Sequence, residues 1–283
     1  MNFVLIDGSY YVFYRYYALR VWWNNVKTDA DSNVPCENEK FMEKYYKTFS
    51  SKIEEIDKKL GLKKSIKLVG KDCPHKDIWR TKLYPNYKGN RHGIHSPQKD
   101  ATDIKKVFSC TYNAPDNAQD NAPDNLFARA GINVLLSHPN LEGDDCIAIT
   151  TKYILDAYTD AHVWIITSDM DYLQLASDRV HLFDLKFNDL TKSKKTYGDP
   201  KKDLFCKIVS GDKSDNILPI FPKCGIKTAE KLYENQEIFK NKLQDPLILQ
   251  QYNLNSLLVD FNNIPEDLVR EFKENSLKLS INN

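Results

Sequence analysis

Short apolar runs alternate with longer stretches of mixed polarity along the first two thirds of the chain. The runs that we interpret as buried strands are residues 3–6, 66–69, 133–136, 163–166 and 180–183. Helical patterns separate most of them. The clearest is residues 39–60, where large apolar side chains recur at spacings of three and four before Gly61. The alternation predicts an α/β fold, with a mostly parallel central sheet and helices on both faces.

The last third of the chain has a different pattern, which is polar and helical. Helix candidates are residues 201–209, 227–242 and 265–274. We therefore predict two regions, an α/β core over residues 1–190 and a helical region over residues 191–283. Distinct from both are residues 113–125, a four-residue repeat with two prolines and no apolar side chain larger than alanine. Such a segment cannot build a core, so we interpret it as an expanded loop without chemistry.

Composition narrows the class of protein. Hydrophobic residues make up 41% of the chain and charged residues 28%, which is typical of a soluble globular protein, and no run approaches the roughly 18 apolar residues of a membrane span. The first residues show no basic segment followed by an apolar stretch and a cleavage site, so we expect no secretion signal. The six cysteines are scattered and form no C-x-x-C pair, which favours a reduced, intracellular protein without structural zinc. We expect a monomer that does not associate with membranes.

Closely spaced carboxylates follow the ends of several predicted strands. Asp7 ends the first run, and further acids cluster at residues 142–145, 169–171 and 212–215. Sites in parallel α/β sheets form outside the carboxyl ends of the strands, so we expect these acids to converge. So many carboxylates share one site only around a cation. Oxygen ligands select Mg²⁺ or Mn²⁺, and two such ions about 4 Å apart are a device for cutting phosphodiesters.

The charge distribution agrees with this hypothesis but does not require it. The formal net charge is only +1. However, residues 71–106 hold nine Lys/Arg against four Asp/Glu, and residues 192–231 hold ten against five. Basic segments on either side of an acidic site fit phosphate-binding surfaces around a metal centre. Ordinary solvated surface explains the same charges equally well.

Several motifs together carry a family resemblance. In chain order they are residues 5–9 (Leu-Ile-Asp-Gly-Ser), 87–91 (Tyr-Lys-Gly-Asn-Arg), 142–145 (Glu-Gly-Asp-Asp), 167–171 (Thr-Ser-Asp-Met-Asp), 211–216 (Gly-Asp-Lys-Ser-Asp-Asn) and 225–229 (Gly-Ile-Lys-Thr-Ala). With this order and spacing, the chain resembles the structure-specific 5′ nuclease superfamily, the flap endonucleases and 5′-3′ exonucleases. The second motif is closer to the phage and bacterial branch. The resemblance implies a PIN-like core followed by a helix-hairpin-helix module.

The resemblance also implies two metal groups that bind a pair of Mg²⁺ ions, for which Mn²⁺ can substitute. The first group would be Asp7, Asp72, Glu142, Asp144 and Asp145. The second would be Asp169, Asp171, Asp212 and Asp215. Considered singly, Asp144 fits a helix cap and Asp171 a turn residue just as simply. Asp72 lies in no strict motif.

Basic residues acquire roles through the same resemblance. Lys88 and Arg91 match the family's catalytic lysine and arginine, which contact the scissile phosphate. Arg80 and Lys82 would grip neighbouring phosphates, and Tyr87 would either stack on a base or be buried. Residues from about 80 to 125 would form the arch through which a single strand threads.

The turn at residues 225–229 resembles a helix-hairpin-helix turn, which presents backbone N–H groups to DNA phosphates. The DNA contacts it implies are Lys213, Lys223, Gly225, Lys227 and Thr228. The family often binds K⁺ at this turn, but here the usual first glycine is replaced within residues 223–225. That departure weakens the case for K⁺ in this chain.

The implied function is Mg²⁺-dependent hydrolysis of phosphodiesters by in-line attack, in DNA with a 5′ flap, gap or 5′ end, or in an RNA–DNA hybrid, during replication or repair. Two alternatives stay open. A PIN-like ribonuclease would share the acidic core but would not need residues 211–232. A non-catalytic binder of DNA junctions would gain nothing from so many carboxylates facing phosphate.

Overall fold

A five-stranded, all-parallel sheet forms the centre of the molecule. In a computed structural model, the strand order is β3-β2-β1-β4-β5. The structure describes residues 1–28, 34–92, 98–113 and 125–277, and of residues 91–92 and 98–102 it describes only the backbone. The strands are β1 (Asn2–Asp7), β2 (Ile66–Gly70), β3 (Val134–Leu136), β4 (His162–Ile166) and β5 (Val180–Phe183). Each coincides with a predicted strand, and the predicted parallel sheet is confirmed. Residues 114–124, most of the four-residue repeat, lie outside the described residues, as do residues 93–97 of the arch region.

The position of β1 explains why its sequence is apolar throughout. Phe3 and Leu5 belong to the buried cluster on one face of the sheet, whereas Val4 and Ile6 belong to the cluster on the other face. A central parallel strand buried on both sides needs apolar side chains at every position. The chain runs from β1 outward to β2 and β3, then returns to the other side of β1 as β4 and β5. The carboxyl ends of β1 and β4 therefore border the crevice where ligands bind in such sheets.

Helices cover both faces of this sheet, as predicted. The helices of the core are α1 (Gly8–Val26), α2 (Glu39–Leu60), α3 (Trp79–Leu83), α4 (Gln98–Tyr112), α5 (Leu126–Arg129) and α6 (Gly143–Ala157). The apolar stripe of α2, including Phe41, Tyr45 and Phe49, is fully buried against α1 and α5. Gly61 ends α2 with φ 69°, a left-handed conformation that glycine adopts without steric cost.

The opposite face is covered by α6 and by the end of the chain. Helices of the C-terminal region are α7 (Pro200–Ser210), α8 (Ile226–Glu234), α9 (Gln236–Lys242), α10 (Pro246–Val259) and α11 (Glu266–Phe272), followed by a π-helical turn, Lys273–Leu277. Phe272 and Leu277 lie in the same buried cluster as Phe3 and Leu5. The helical character of this region is therefore confirmed, and its end packs against the core. The boundary at residue 190 stays a prediction.

The single helix predicted over residues 227–242 is wrong. The helix breaks at Asn235, whose side chain accepts a hydrogen bond from the backbone N–H of Ile238 (3.1 Å) and so begins α9. Asparagine side chains compete with helical hydrogen bonding in this way. The break lets Phe239 pack with Cys206 and Leu232, so that α7, α8 and α9 share one small apolar cluster.

Candidate active site at the carboxyl edge of the sheet

Asp7 lies at the crevice between β1 and β4. Its carboxylate begins α1 by accepting a hydrogen bond from the backbone N–H of Tyr10 (2.9 Å). Thr167, which follows β4, donates its hydroxyl to the second oxygen of Asp7 (3.0 Å). Thr167, the first residue after β4, thus holds the carboxylate of Asp7, the last residue of β1, at the switch point of the sheet.

Asp72 lies two residues beyond β2 and connects that strand to α6. It accepts hydrogen bonds from the Ser9 hydroxyl (2.5 Å) and from the backbone N–H of Gly143 (2.7 Å). The second contact places a negative charge at the N-terminus of a 15-residue helix, where the helix dipole favours it. A Cβ at position 143 would lie 3.0 Å from the Asp72 carboxylate, so glycine permits this close approach.

Glu142 precedes α6 and is surrounded by donors. Its Oε1 lies 2.5 Å from the Lys88 Nζ, and its Oε2 accepts from Arg80 Nη1 (3.0 Å) and from the Tyr87 hydroxyl (3.0 Å). These positive charges hold the pKa of Glu142 below its ordinary value although burial opposes them. Glu142 therefore stays ionised, with the catalytic lysine of the family resemblance directly on it.

Asp145 and Arg80 form a buried ion pair beneath this group. Both guanidinium Nη atoms bind Asp145 (2.7 and 2.8 Å), Trp79 Nε1 adds a third bond (2.9 Å), and the Arg80 Nε donates to the carbonyl of Leu258 (2.8 Å). Arg80 is 2% exposed and Asp145 is fully buried. The prediction that Arg80 grips a DNA phosphate is therefore wrong, because its guanidinium is buried. Both oxygens of Asp145 are bonded, but one of them lies within 4.8 Å of oxygens of Glu142 and Asp144, so its assignment as a metal ligand stays a prediction.

Tyr87 also departs from its predicted role. It is 2% exposed, and its hydroxyl donates to Glu142 and lies 3.4 Å from Asp215. The side chain therefore supports the carboxylates, and the alternative interpretation as a buried aromatic is the correct one. Lys82, by contrast, is exposed. The side chain of Arg91 lies outside the described residues.

A second carboxylate group joins the turn after β4 to the loop after α7. Asp171, Asp212 and Asp215 each offer an oxygen within 4.8 Å of the others, as do Glu142, Asp144 and Asp145 in the first group. Lys207, on α7, contacts Asp171 and lies 2.7 Å from Asp212. Its charge lowers the pKa of Asp212 to about 2 despite burial.

Asp169 lies between the two groups. It begins the turn that holds Asp171 by accepting a hydrogen bond from the Asp171 N–H (2.9 Å). Its charge contributes to the raised pKa of Asp7 in the first group and of Asp171 in the second. The predicted metal ligands therefore lie together at the carboxyl edge of the sheet, in two groups of carboxylates whose charges act on one another.

The crowding of like charges, together with burial, shifts the pKa values of carboxylates at this edge. Burial, and then the charge of Asp72, raises the pKa of Asp7 to about 7. Burial, and then Glu142 and Asp145, raises the pKa of Asp144 well above its ordinary range. Burial raises the pKa of Asp171 to about 6 even though Lys207 opposes it. Carboxylates in this state gain from a divalent cation, and an all-oxygen donor set fits a hard ion such as Mg²⁺.

The hydroxyl of Tyr172 is buried at the same edge of the sheet and, in the part of the chain that the structure describes, lacks a hydrogen-bond partner. Tyr172 is fully buried in the turn after Asp171, and its hydroxyl has no hydrogen-bond partner among the described residues. Burial, and then the charges of Asp7 and Asp144, raises the pKa of Tyr172, so the hydroxyl keeps its proton. A donor of this kind beside the carboxylates fits a site that takes in water or another oxygen ligand.

The predicted DNA contacts of the C-terminal region lie in the loop after α7 and around the turn before α8. Lys213, Lys223, Gly225 and Lys227 are exposed, and Thr228 is half-buried. Gly225 precedes α8, and Lys223 adopts φ 61° in the turn before it. Cys224 and Ala229 point inward and pack with Val209 of α7. The helix pair thus buries its apolar side chains and leaves the lysines exposed.

Four residues that organise this site were missed by sequence reasoning. Ser9 and Thr167 hold Asp72 and Asp7, Trp79 binds Asp145, and Lys207 binds the second group. Ser9 and Thr167 belong to motifs whose aspartates alone were assigned a role. Lys207 lies five residues before Asp212 on a helix, a spacing that becomes informative only once α7 is placed.

The fold and the site define a class of nuclease in which carboxylates at the edge of a parallel sheet lie beside basic side chains. The profile of the family described as 5'-3' exonuclease, N-terminal resolvase-like domain, matches residues 2–203. The chain belongs to this family and to the 5′ nuclease superfamily, which confirms the resemblance seen in the sequence motifs. It is accordingly a nuclease of the 5′-3′ exonuclease type.

Relatives and solved structures agree with this assignment. A 5'-3' exonuclease of Buchnera aphidicola subsp. Acyrthosiphon pisum is 28% identical over 98% of this chain and 87% of its own length. The bacteriophage T5 flap endonuclease, solved as a pseudo-enzyme-product complex with DNA and metal ions, superposes with a TM-score of 0.66 at 19% identity, covering 99% of this chain and all of that one. The T5 5'-exonuclease with zinc gives a TM-score of 0.65 at 20% identity, over 99% and 100% of the two chains. These structures establish the fold. Within the described part of the chain, no helix has the length and apolar character that crossing a bilayer requires.

Proposed function

We propose that this nuclease is a Mg²⁺-dependent 5′-3′ exonuclease and 5′ flap endonuclease that hydrolyses phosphodiesters in branched or gapped DNA. The observation that carries the proposal is the pair of carboxylate groups around Asp169, with the Lys88 ammonium 2.5 Å from Glu142. The T5 flap endonuclease complexed with DNA and metal ions supports it, because that protein shares this fold.

Two Mg²⁺ ions suit the two groups. Asp7, Asp72, Glu142 and Asp144 would hold one ion, Asp171, Asp212 and Asp215 the other, with Asp169 able to serve both. Bound there, the ions supply Lewis acidity toward the attacking water and the leaving 3′ oxygen. Asp145 has a different role, because it holds Arg80, which in turn orients Glu142.

Lys88 is the side chain best suited to the scissile phosphate. Its Nζ rests on Glu142 and lies 3.8 Å from Asp215, so it contacts one residue of each group. If Glu142 bound a cation instead, the Lys88 ammonium would give up this oxygen. It would then turn toward the phosphate, where it would stabilise the charge that develops in the transition state. We extend the same phosphate role to Arg91 from the resemblance.

DNA duplex is expected to lie against the exposed turn before α8. Its N–H groups and the lysines at 213, 223 and 227 complement phosphates, which fix register without reading sequence. Lys82, which is exposed on α3, is a further candidate for phosphate contact. Since these contacts are electrostatic, affinity should fall steeply with salt.

The direct test is cleavage of a 5′-end-labelled flap substrate with Mg²⁺, with EDTA as the control. Cleavage near the junction that requires the metal supports the proposal. A matched RNA flap cut at an equal or higher rate would indicate a ribonuclease instead. Tight binding of the DNA flap without any cleavage in Mg²⁺ or Mn²⁺ would indicate a non-catalytic junction binder.

Substituting Lys88 should separate chemistry from binding. Lys88→Ala is expected to lower the single-turnover cleavage rate by about 10²–10³-fold, because it removes a charge aimed at the transition state. The DNA dissociation constant, measured in Ca²⁺ or EDTA, should change by no more than a few fold. Lys63→Ala is the matched control, since Lys63 is exposed in the loop before β2, at the other edge of the sheet. Equal rates for the two variants would remove Lys88 from the catalytic machinery.

The raised pKa of Asp7 predicts a pH dependence for the stability of the metal-free protein. Its folded-state pKa of about 7 exceeds the ordinary value of 3.8. The folded state therefore holds a proton that the unfolded state has lost, and stability falls as pH rises from about 4 to about 7. Asp171, with a pKa of about 6, acts in the same direction.

This dependence is checked by the melting temperature in EDTA at pH 5 and pH 8. We expect a lower value at pH 8, and a larger increase on adding Mg²⁺ at pH 8 than at pH 5, because the ion replaces the protons. A Mg²⁺-induced increase that is the same at both pH values would contradict the assignment of these carboxylates to the metal.

A further inference from the structure

Two loops that carry the chemistry are tied together by asparagine side chains. Asn90 Nδ2 donates to the carbonyl of Lys213 (2.7 Å), and Asn216 Nδ2 donates to the carbonyl of Asn86 (2.9 Å). Between them, the backbone N–H of Lys88 donates to the carbonyl of Asp215 (2.9 Å). We call these three hydrogen bonds between residues 86–90 and 212–216 the asparagine clasp. Asn90 and Asn216 belong to the motifs at 87–91 and 211–216, yet neither has a part in the chemistry described so far.

The clasp holds backbone conformations that are costly by themselves. Lys88 adopts φ 54° and Asn216 adopts φ 60°. The left-handed region is unfavourable for a lysine, whereas asparagine tolerates it better. The hydrogen bonds of the clasp offset that cost, since each of the three pairs an N–H donor with a carbonyl of the opposite loop. The loop therefore keeps this conformation because residues 212–216 impose it.

The conformation of Lys88 determines where its ammonium lies. With this backbone, the Nζ lies 2.5 Å from Glu142 and 3.8 Å from Asp215. Asp215 serves two purposes, since its carbonyl holds the Lys88 backbone while its carboxylate belongs to the second acidic group. The position of Lys88 is consequently linked to the loop that carries the second group, although the two are more than 120 residues apart in sequence.

We propose that Asn90 and Asn216 are positioning residues that act on cleavage through Lys88, by fixing the loop from which its ammonium reaches the scissile phosphate. The inference rests on the proposed function, which gives Lys88 its catalytic role. It predicts that loss of the clasp impairs the rate of cleavage and leaves metal and DNA affinity almost unchanged.

The variants are chosen to remove only the amide donors. Asn216→Gly removes one donor and tolerates a positive φ, so it adds no steric strain. Asn90→Ala removes the other within a 3-10 turn. Asn241→Ala, at an exposed position of α9, is the matched control. A misplacement of a catalytic group by about 1 Å is enough to cost roughly 10²-fold in rate. We therefore expect each clasp variant to lose about 10-fold to 100-fold in single-turnover rate. The dissociation constants of Mn²⁺ and flap DNA should change by less than about threefold.

A readout independent of activity tests the geometry. The amide of Lys88 should exchange with D₂O at least about tenfold faster in Asn216→Gly than in the unsubstituted protein, without metal or DNA, because its bond to Asp215 opens more often. The control variant should exchange at the unsubstituted rate. Unchanged exchange at Lys88 in both clasp variants would overturn the inference.

The Lys88→Ala background distinguishes positioning from general damage. If the clasp acts through Lys88, Asn216→Gly lowers the rate of the unsubstituted protein but changes that of Lys88→Ala by less than about twofold, since the two residues form one unit. An equal loss in both backgrounds overturns the inference and assigns Asn216 a role in the second acidic group. Failure of the unsubstituted protein to cut flap DNA is a different outcome, because it removes the proposed function while the exchange result still judges the clasp.

Discussion

Asp169→Asn is expected to lower the rate of flap cleavage by about 10³-fold or more, which corresponds to about 4 kcal/mol or more of lost transition-state stabilisation. Asp169 acts on Asp7 in one carboxylate group and on Asp171 in the other. Removing its charge therefore weakens both proposed ion sites at once, and it does so where charge develops in the transition state. This effect on both groups makes Asp169 the most informative carboxylate of the crevice to substitute.

Asparagine is the appropriate replacement, because it preserves the local structure. Its side-chain oxygen can still accept the hydrogen bond from the Asp171 N–H that begins the turn. The fold should consequently remain, and the DNA dissociation constant should stay within a few fold or improve, since one negative charge near phosphate is gone. Titration with Mn²⁺ should show a weakened site in the variant. The raised pKa of Asp7 should also move down, which flattens the dependence of metal-free stability on pH.

The matched control is Asp178→Asn, which makes the same change of charge nine residues later. Asp178 is exposed and precedes β5, so it lies at the amino edge of the sheet, away from the crevice. We expect its cleavage rate to equal that of the unsubstituted protein. Single-turnover rates on an end-labelled 5′ flap decide the matter, and a similar rate for Asp169→Asn and Asp178→Asn would refute the two-ion site.

The sequence was sufficient for those features that depend on local pattern. A run such as residues 163–166 is too short for a helix and too apolar for a loop, and its position in the chain places the following aspartates at the carboxyl edge of the sheet. The position of the candidate site could be predicted because the fold and the chemistry both require carboxylates at the same edge of the sheet. Asp7 is the last residue of β1, and Asp72 and Asp169 lie two and three residues beyond β2 and β4.

The different roles of residues that are neighbours in the sequence could not be predicted from local pattern. Asp144 and Asp145 are adjacent in sequence, but successive residues of a helix point about 100° apart. The Asp145 side chain therefore meets Arg80, whereas Asp144, which the structure also describes, has no ion pair with Arg80 and accepts a hydrogen bond from the backbone N–H of Asp145. Arg80 and Lys82 likewise form one basic segment in the sequence, and only the packing of α3 against α6 and Leu258 buries the first and exposes the second. Burial of a charged residue depends on its partners, which local pattern does not contain.

We accordingly expect Asp145→Ala to lower the free energy of unfolding, apart from any effect on catalysis. Arg80 is only 2% exposed in the unsubstituted protein. The substitution removes the carboxylate that receives two of its N–H groups. Removing one partner of a buried ion pair costs about 3–5 kcal/mol when the remaining charge is left uncompensated. Glu142 still accepts one N–H of Arg80 (3.0 Å), so we expect a loss at the lower end of that range. Trp79 Nε1 loses its acceptor as well. Urea unfolding of the metal-free protein, which excludes any contribution of ion binding, should show this loss as a lower midpoint at a similar slope.

Two further variants make the structural role of Asp145 distinguishable from that of a metal ligand. Asp156→Ala removes an exposed acid from the same helix, and we expect it to change stability by no more than about 0.5 kcal/mol. Replacing both members of the pair, as Arg80→Met with Asp145→Leu, should restore part of the stability lost in Asp145→Ala, since paired apolar groups of similar volume are often tolerated where a lone charge is not. If Asp145→Ala instead unfolded at the unsubstituted urea midpoint while losing Mn²⁺ affinity, Asp145 would be a metal ligand, as the resemblance implies, and the structural role proposed for it would be wrong.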